Sequence, residues 1–254
     1  MKKVIKYYNK HGLKSTFKRI QRSYYKAIRK EYIPITYGLL MYANWEDFTF
    51  NLIFYGKKEN ILSNFIASIN HEFLFLDIGA HQGFYSLLAA NKLKCLKVIA
   101  FEPVSDTFSL LKKNISANKF QNKVVPIKAA ISSENGFSEI NLKKGHSGAA
   151  SLRKKSGKDY QKENIKLINI AEVDNLVPSN SCKIIVKIDV EGYENVVIDE
   201  LLKSKNLHNI SAIFYEISEF YTDPVAIQNK LQMNGFYKFE KYGTGNHYDI
   251  LALK

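Results

Sequence analysis

Cysteine is scarce in this 254-residue chain, with only Cys95 and Cys182. The two show no metal-ligand or redox spacing, and so sparse a thiol content fits a reducing compartment. Long apolar runs are missing as well. No window approaches the roughly 18 consecutive apolar residues of a membrane-spanning helix. Internal repeats are absent, and no G-x-G-x-x-G pattern follows an apolar run. What is present is ordinary for a globular protein, at 46% hydrophobic and 24% charged residues, which excludes disorder, collagen and coiled coil for the bulk of the chain. The length allows one domain, or one domain with an appendage.

One further absence is local. Acids are missing from the first thirty residues, which carry eleven Lys and Arg, and the first acid is Glu31. Most of the formal net charge of +13 therefore lies in this segment, and the remainder is nearly neutral. That distribution argues against a basic cleft along the body, and so against nucleic acid as partner. The segment has no apolar h-region of a secretory signal, so the expected location is the cytoplasm. Leu13, Phe17, Ile20, Tyr24 and Ile28 share one face of a helix, with basic residues on the others. Such a helix either packs its apolar face on the body or makes peripheral contact with an anionic membrane, here the inner membrane face, or with an acidic polymer. The expected division is a basic helical appendage over residues 1–45 and one domain over residues 46–254.

From residue 47 onward, strand and helix patterns alternate. Residues 47–55 carry β-favouring residues with partial alternation and read as a strand, and residues 60–69 read as a helix. FLFLDI (73–78), KVIAFE (97–102) and IIVKIDV (184–190) are short continuous apolar runs, as expected of strands buried on both faces. Residues 124–131 read as a further strand and 136–142 as an alternating one. A helix is expected over 105–117 with Ser105 as its N-cap. Residues 212–217 read as a strand and 224–233 as a helix. Two last strands, 236–242 and 248–253, have no helix between them and form an antiparallel pair. The pattern predicts an α/β fold with a mostly parallel sheet and helices on both faces. The stretch 143–164 reads as a loop, either a functional lid or disordered. Its seven bases against two acids would suit an acidic or glycan acceptor.

FLFLDIGAHQGFYSLLAA ends an apolar run on Asp77, Gly79 and Gly83. Gly79 allows a turn that other residues resist, and Gly83 would let the chain approach a ligand where the next helix begins. Glu102 ends the second buried strand, where a carboxylate can accept hydrogen bonds from both hydroxyls of a ribose. Asp77 would repel a pyrophosphate and suits a ligand with an ammonium group. S-adenosylmethionine, with a ribose, an ammonium and no phosphate, matches better than a nicotinamide dinucleotide. Ala130 lies in a small-residue stretch that leaves room for a ring.

IIVKIDVEGYE is the second informative stretch. Lys187 and Asp189 share one side of a strand, and ionisable residues in an apolar run are costly unless paired or functional. These motifs together resemble the FkbM family of S-adenosylmethionine-dependent methyltransferases. The matching residues are Asp77-Ile78-Gly79-Ala80-x-x-Gly83, Phe101-Glu102-Pro103, Ser147-Gly148-Ala149-Ala150-Ser151-Leu152, and Lys187-Ile188-Asp189-Val190-Glu191-Gly192-x-Glu194. His81 stands where the family would have Asn. The resemblance covers roughly residues 73–254 and leaves the basic segment outside it. It implies a Rossmann-like class I fold with a seven-stranded sheet, S-adenosylmethionine as cofactor, and O-methylation of a sugar, glycan or small metabolite. Cofactor contacts are then expected from Asp77, Gly79, Ala80, His81, Gly83, Glu102, Pro103, Ala130 and Asp189. Candidate catalytic carboxylates are Asp189, Glu191 and Glu216, with His146 and His247 as weaker candidates. No metal is expected. The rival readings are a non-catalytic membrane-associated or scaffold protein, a nicotinamide-dependent oxidoreductase, and a nucleic-acid methyltransferase acting on adenine, which would be expected to show an Asn/Asp-Pro-Pro-Tyr-type strand end where this chain reads Asp189-Val190-Glu191-Gly192.

Overall fold

The computed structural model describes residues 2–57, 61–143, 146–151, 160–178 and 182–254. A long helix α1 (Lys2–Ala27) leads into a hairpin of β1 (Tyr32–Pro34) and β2 (Leu40–Tyr42), then α2 (Phe48–Phe54) and α3 (Ile61–Ser68). The central repeat follows: β3 (Phe73–Ile78), α4 (Phe84–Ala90), β4 (Cys95–Phe101), α5 (Ser105–Ala117) and β5 (Val124–Ile127). A small sheet is made by β6 (Ala130–Ile131), β7 (Gly136–Lys143), β8 (His146–Ser151) and β9 (Tyr160–Ile168). The chain returns through α6 (Ile170–Leu176), β10 (Lys183–Ile188), α7 (Glu194–Leu201), β11 (Ile210–Ser218), α8 (Pro224–Met233), β12 (Lys238–Tyr242) and β13 (His247–Leu253).

The main sheet has seven strands in the order β12-β13-β11-β10-β3-β4-β5. Strands β11, β10, β3, β4 and β5 pair in parallel, while β13 is antiparallel to both β11 and β12. This is the Rossmann-like arrangement expected, including the antiparallel C-terminal pair. The alternation along β3 explains its unbroken apolar run. Phe73 and Phe75 enter the core on one face with α2, α3 and α4, and Leu74, Leu76 and Ile78 enter the other with α6, α7 and α8. A strand between two helical layers has no solvent face on which to place polar residues.

Four local expectations are corrected. Residues 48–54 form a helix, not a strand, because Asp47 caps it by accepting the Phe50 N–H at 2.8 Å. Trp45 then packs edge-on against Phe50 and Phe54 at 5.1 and 5.0 Å. Capping and aromatic packing outweigh the β propensity of Phe, Thr and Ile. Ser105 is the first helical residue of α5 rather than its cap, and Glu163 of β9 accepts its N–H at 2.9 Å. Residues 124–131 split between the two sheets, into β5 and β6. The stretch read as a loop is partly strand: β7 runs to Lys143, β8 covers 146–151, and β9 starts at Tyr160. Residues 144–145 and 152–159 lie outside the described residues.

The N-terminal segment also departs from one of its two readings. The side chains of Phe17, Ile20, Tyr24 and Ile28 are exposed, so these four do not pack on the body, and the Leu13 side chain lies outside the described residues. The β1–β2 hairpin, by contrast, is bound to α5: the Leu40 and Tyr42 N–H groups donate to Asn118 and Asn114 at 2.9 and 2.7 Å. Ile33, Leu39 and Met41 are buried in the same core as β3. Among the described residues, no helix is long and apolar enough to cross a membrane.

Candidate active site

The carboxyl ends of β3, β4, β10 and β11 open on a cavity of about 350 Å³. It lies where the strand order turns back, with β4 on one side of β3 and β10 on the other, the place where open α/β sheets bind ligands. Gly79 makes this junction possible. It sits at φ +77°, and a Cβ there would lie 1.9 Å from the Asp189 carbonyl oxygen. Its lack of a side chain thus brings the β3 and β10 ends together. Gly83, at φ +90°, does not line the cavity. A Cβ there would meet Leu111 of α5 at 2.5 Å, so this glycine lets α4 and α5 pack closely.

Glu102 follows β4 and faces the cavity. Its Oε2 accepts the His81 N–H at 2.8 Å, and its Oε1 accepts the Val104 N–H at 2.9 Å and the Thr107 hydroxyl at 2.8 Å. A carboxylate has about four acceptor positions, so one remains on Oε2. That is room for one ligand hydroxyl on an unshared position, not two. Burial pushes the Glu102 carboxyl above the usual range, against the pull of those three donors. Ala80, His81, Pro103 and Ala130 also line the cavity.

Asp77 does not line the cavity. It is fully buried, and its carboxylate is held by Lys187 Nζ at 3.1 Å and by the Ser86 hydroxyl at 2.6 Å. Lys187 itself faces the cavity, donates to the Gly79 carbonyl at 2.5 Å and lies 3.8 Å from Asp189. Burial opposes the charge of this ammonium, but Asp77 first and Asp189 second outweigh it and hold its pKa above the ordinary value. The acid of these two motifs that lines the cavity is therefore Asp189, one residue beyond β10, while Asp77 is paired with Lys187 behind it.

The other end of the cavity is acidic. Asp189, Glu191 and Glu216 each bring a carboxylate oxygen within 4.8 Å of the others. Glu191 stands at φ +53° and Gly192 at φ +97°. Glu194, at the start of α7, fixes this turn by accepting the N–H groups of Val190 and Gly192 at 3.2 and 3.0 Å. Glu216 lies two residues before the end of β11 and pairs with His247 Nε2 at 2.8 Å. Burial, then repulsion from Asp189 and Glu191, pushes its carboxyl up to about 9. Three carboxylates at this spacing are also able to hold a divalent cation. The backbone of His146 lies on β8, and its side chain is outside the described residues.

The sequence reading missed a wall of the cavity. Phe48, Thr49, Leu52 and Ile53 of α2 face it, with Tyr85 of α4 and Ile140 of β7. A signal existed: an Asp directly before the apolar run, at an N-cap position.

A family model described as "Methyltransferase FkbM domain" matches residues 77–238. No curated protein matches the chain. Among solved structures, methyltransferase FkbM from Methylobacillus flagellatus KT aligns with a TM-score of 0.50 and 14% identity, over 79% of this chain and 50% of that one. Precorrin-6y C5,15-methyltransferase from Geobacter metallireducens GS-15 aligns with a TM-score of 0.45 and 13% identity, over 76% and 87% of the two chains. At 14% identity the likeness to the Methylobacillus protein concerns the fold alone.

Proposed function

The chain belongs to the FkbM methyltransferase family, and on that premise we propose that it methylates a hydroxyl of a sugar, glycan or small metabolite with S-adenosylmethionine as donor. One observation carries this reading: a single cavity joins a Glu102 with an open acceptor position to an acidic end made by Asp189, Glu191 and Glu216. A nucleoside whose ribose donates a hydrogen bond and whose far end is cationic suits both features. A pyrophosphate would meet three carboxyl groups.

When bound, S-adenosylmethionine supplies a methyl group activated on a sulfonium. Glu102 would accept a ribose hydroxyl, and the small side chains of Ala129 and Ala130 leave space for a flat ring. Asp189, oriented by Lys187, offers its carboxylate to the ammonium. The acceptor hydroxyl is a weak nucleophile and has to lose its proton as it attacks. Glu216, anchored by His247, orients that hydroxyl, and Glu191 on the adjoining turn receives the proton. Holding the reactants aligned and close supplies much of the rate. The α2 wall and Ile140 exclude water from one side.

Calorimetry with S-adenosylhomocysteine tests the cofactor, and labelled S-adenosylmethionine offered with cell glycans tests the acceptor. Binding and label transfer are the expected results. Asp189→Asn should weaken S-adenosylhomocysteine binding by roughly ten- to a hundredfold with little change in melting, because it removes the charge offered to the ammonium. No binding by protein shown to be folded would overturn the reading.

A further inference from the structure

We propose that α1 docks on an anionic lipid surface through the stripe formed by Phe17, Ile20, Tyr24 and Ile28. This inference is independent of the methyl-transfer reading, since it concerns a different face of the molecule.

The four side chains are 60%, 52%, 58% and 50% exposed. Their spacings put Phe17, Ile20 and Tyr24 on one line along α1, and Ile28, one residue beyond its end, continues that line. A surface helix ordinarily buries such a stripe against its own protein. Here the body is gripped by the other side of the helix. Thr16 is buried, and Lys18 Nζ lies 4.7 Å over the Phe54 ring. The Arg22 guanidinium lies 5.7 Å over Trp45 and donates to its carbonyl at 3.4 Å. Tyr25 meets Phe54 edge-on at 6.5 Å, and Lys26 pairs with Glu46 at 3.4 Å. Cationic and aromatic contacts hold α1 in place, and the apolar stripe points outward. The contact is with Phe54 of α2, the helix whose other residues wall the cavity.

Charge selects the occupant. Residues 1–30 hold eleven bases and no acid, so two copies meeting through this stripe would bring two strongly basic helices together. A nucleic acid or acidic polysaccharide would satisfy the bases but leave four apolar side chains in water. An anionic bilayer answers both features: headgroup charge for the lysines and arginines, and an acyl boundary for the stripe.

The test is flotation of the full chain with vesicles. Binding is expected to mixed phosphatidylglycerol–phosphatidylcholine vesicles and not to phosphatidylcholine alone. Phe17→Ser, Ile20→Ser and Tyr24→Ser together should weaken it on the order of a hundredfold, given the apolar area removed. Unchanged binding by this variant would reduce the contact to charge alone and overturn the proposal. So would a wild-type chain that ignores anionic vesicles and instead dimerises in sedimentation. Should the triple variant misfold, Phe17→Trp provides a second reading: its added fluorescence should be quenched by brominated lipid in anionic vesicles, and no added quenching overturns the proposal.

Discussion

Lys187 of β10 and Asp77 of β3 are register partners on adjacent parallel strands, and their side chains form an ion pair of 3.1 Å with almost no solvent contact. Asp77 is 0% and Lys187 3% exposed. Buried charges persist only when paired and hydrogen-bonded, and here Ser86 and the Gly79 carbonyl complete the set. The pair sits beneath the cavity and aims Lys187 at Asp189, so it links the two sequence motifs physically.

Removing one partner should be costly. Lys187→Met leaves Asp77 buried without its cation and is expected to destabilise the fold by about 3–5 kcal/mol in denaturant unfolding. Adding Asp77→Leu to it should recover much of that loss. If the two single variants and the double variant add independently, the pair is not coupled.

Gly79 should tolerate no side chain. Gly79→Ala would drive a Cβ into the Asp189 carbonyl at φ +77° and force the ends of β3 and β10 apart. A large drop in Tm is expected, together with loss of cofactor-analogue binding. Gly38, at φ +73° with no atom near its missing Cβ, is the control. Gly38→Ala should cost only the conformational strain, about 1–2 kcal/mol. Equal losses at both glycines would remove the steric argument.

Glu102→Ala should weaken S-adenosylhomocysteine by roughly ten- to a hundredfold, the scale of a hydrogen bond to a charged group. Calorimetry checks this, with circular dichroism to show that the orphaned His81 and Val104 N–H groups have not undone the loop. An unchanged affinity would take Glu102 out of the ribose site.

Glu216 makes stability fall with rising pH. Its folded-state pKa of about 9 stands above its ordinary 4.5. Below the lower value both states hold the proton, and between the two values only the folded chain does. Rising pH therefore favours unfolding across that window, by at most about 1.4 kcal/mol per pH unit. Glu216→Gln lacks this dependence and should gain on the wild type steadily from about pH 5 to 9 in urea unfolding. Parallel profiles for the two proteins would refute the raised pKa.

Much of the fold was legible in the chain, because burial on both faces of a parallel sheet leaves a direct mark on sequence. FLFLDI gives β3 with its bounds, and the 105–117 and 224–233 helices match those of α5 and α8. Residues 47–55 were not legible by propensity, since the cap at Asp47 and the rings around Trp45 decide their conformation. The loop reading failed at residues 146–151 and 160–164 for a similar reason. Its serines, glycines and lysines lack a strand signature, and pairing with β7 supplies what composition does not.

By itself the sequence determined the α/β class, the carboxylates at strand ends and the concentration of positive charge before residue 31. These depend on local pattern and composition, which survive without coordinates. Only the tertiary structure decided which carboxylates line the cavity. Strand register ties Asp77 to Lys187 and leaves Asp189, Glu191 and Glu216 on the cavity. It also decided which face of α1 touches the body. Periodicity identifies an apolar stripe but not its partner, and the rings of Trp45 and Phe54 take the cationic side of the helix instead.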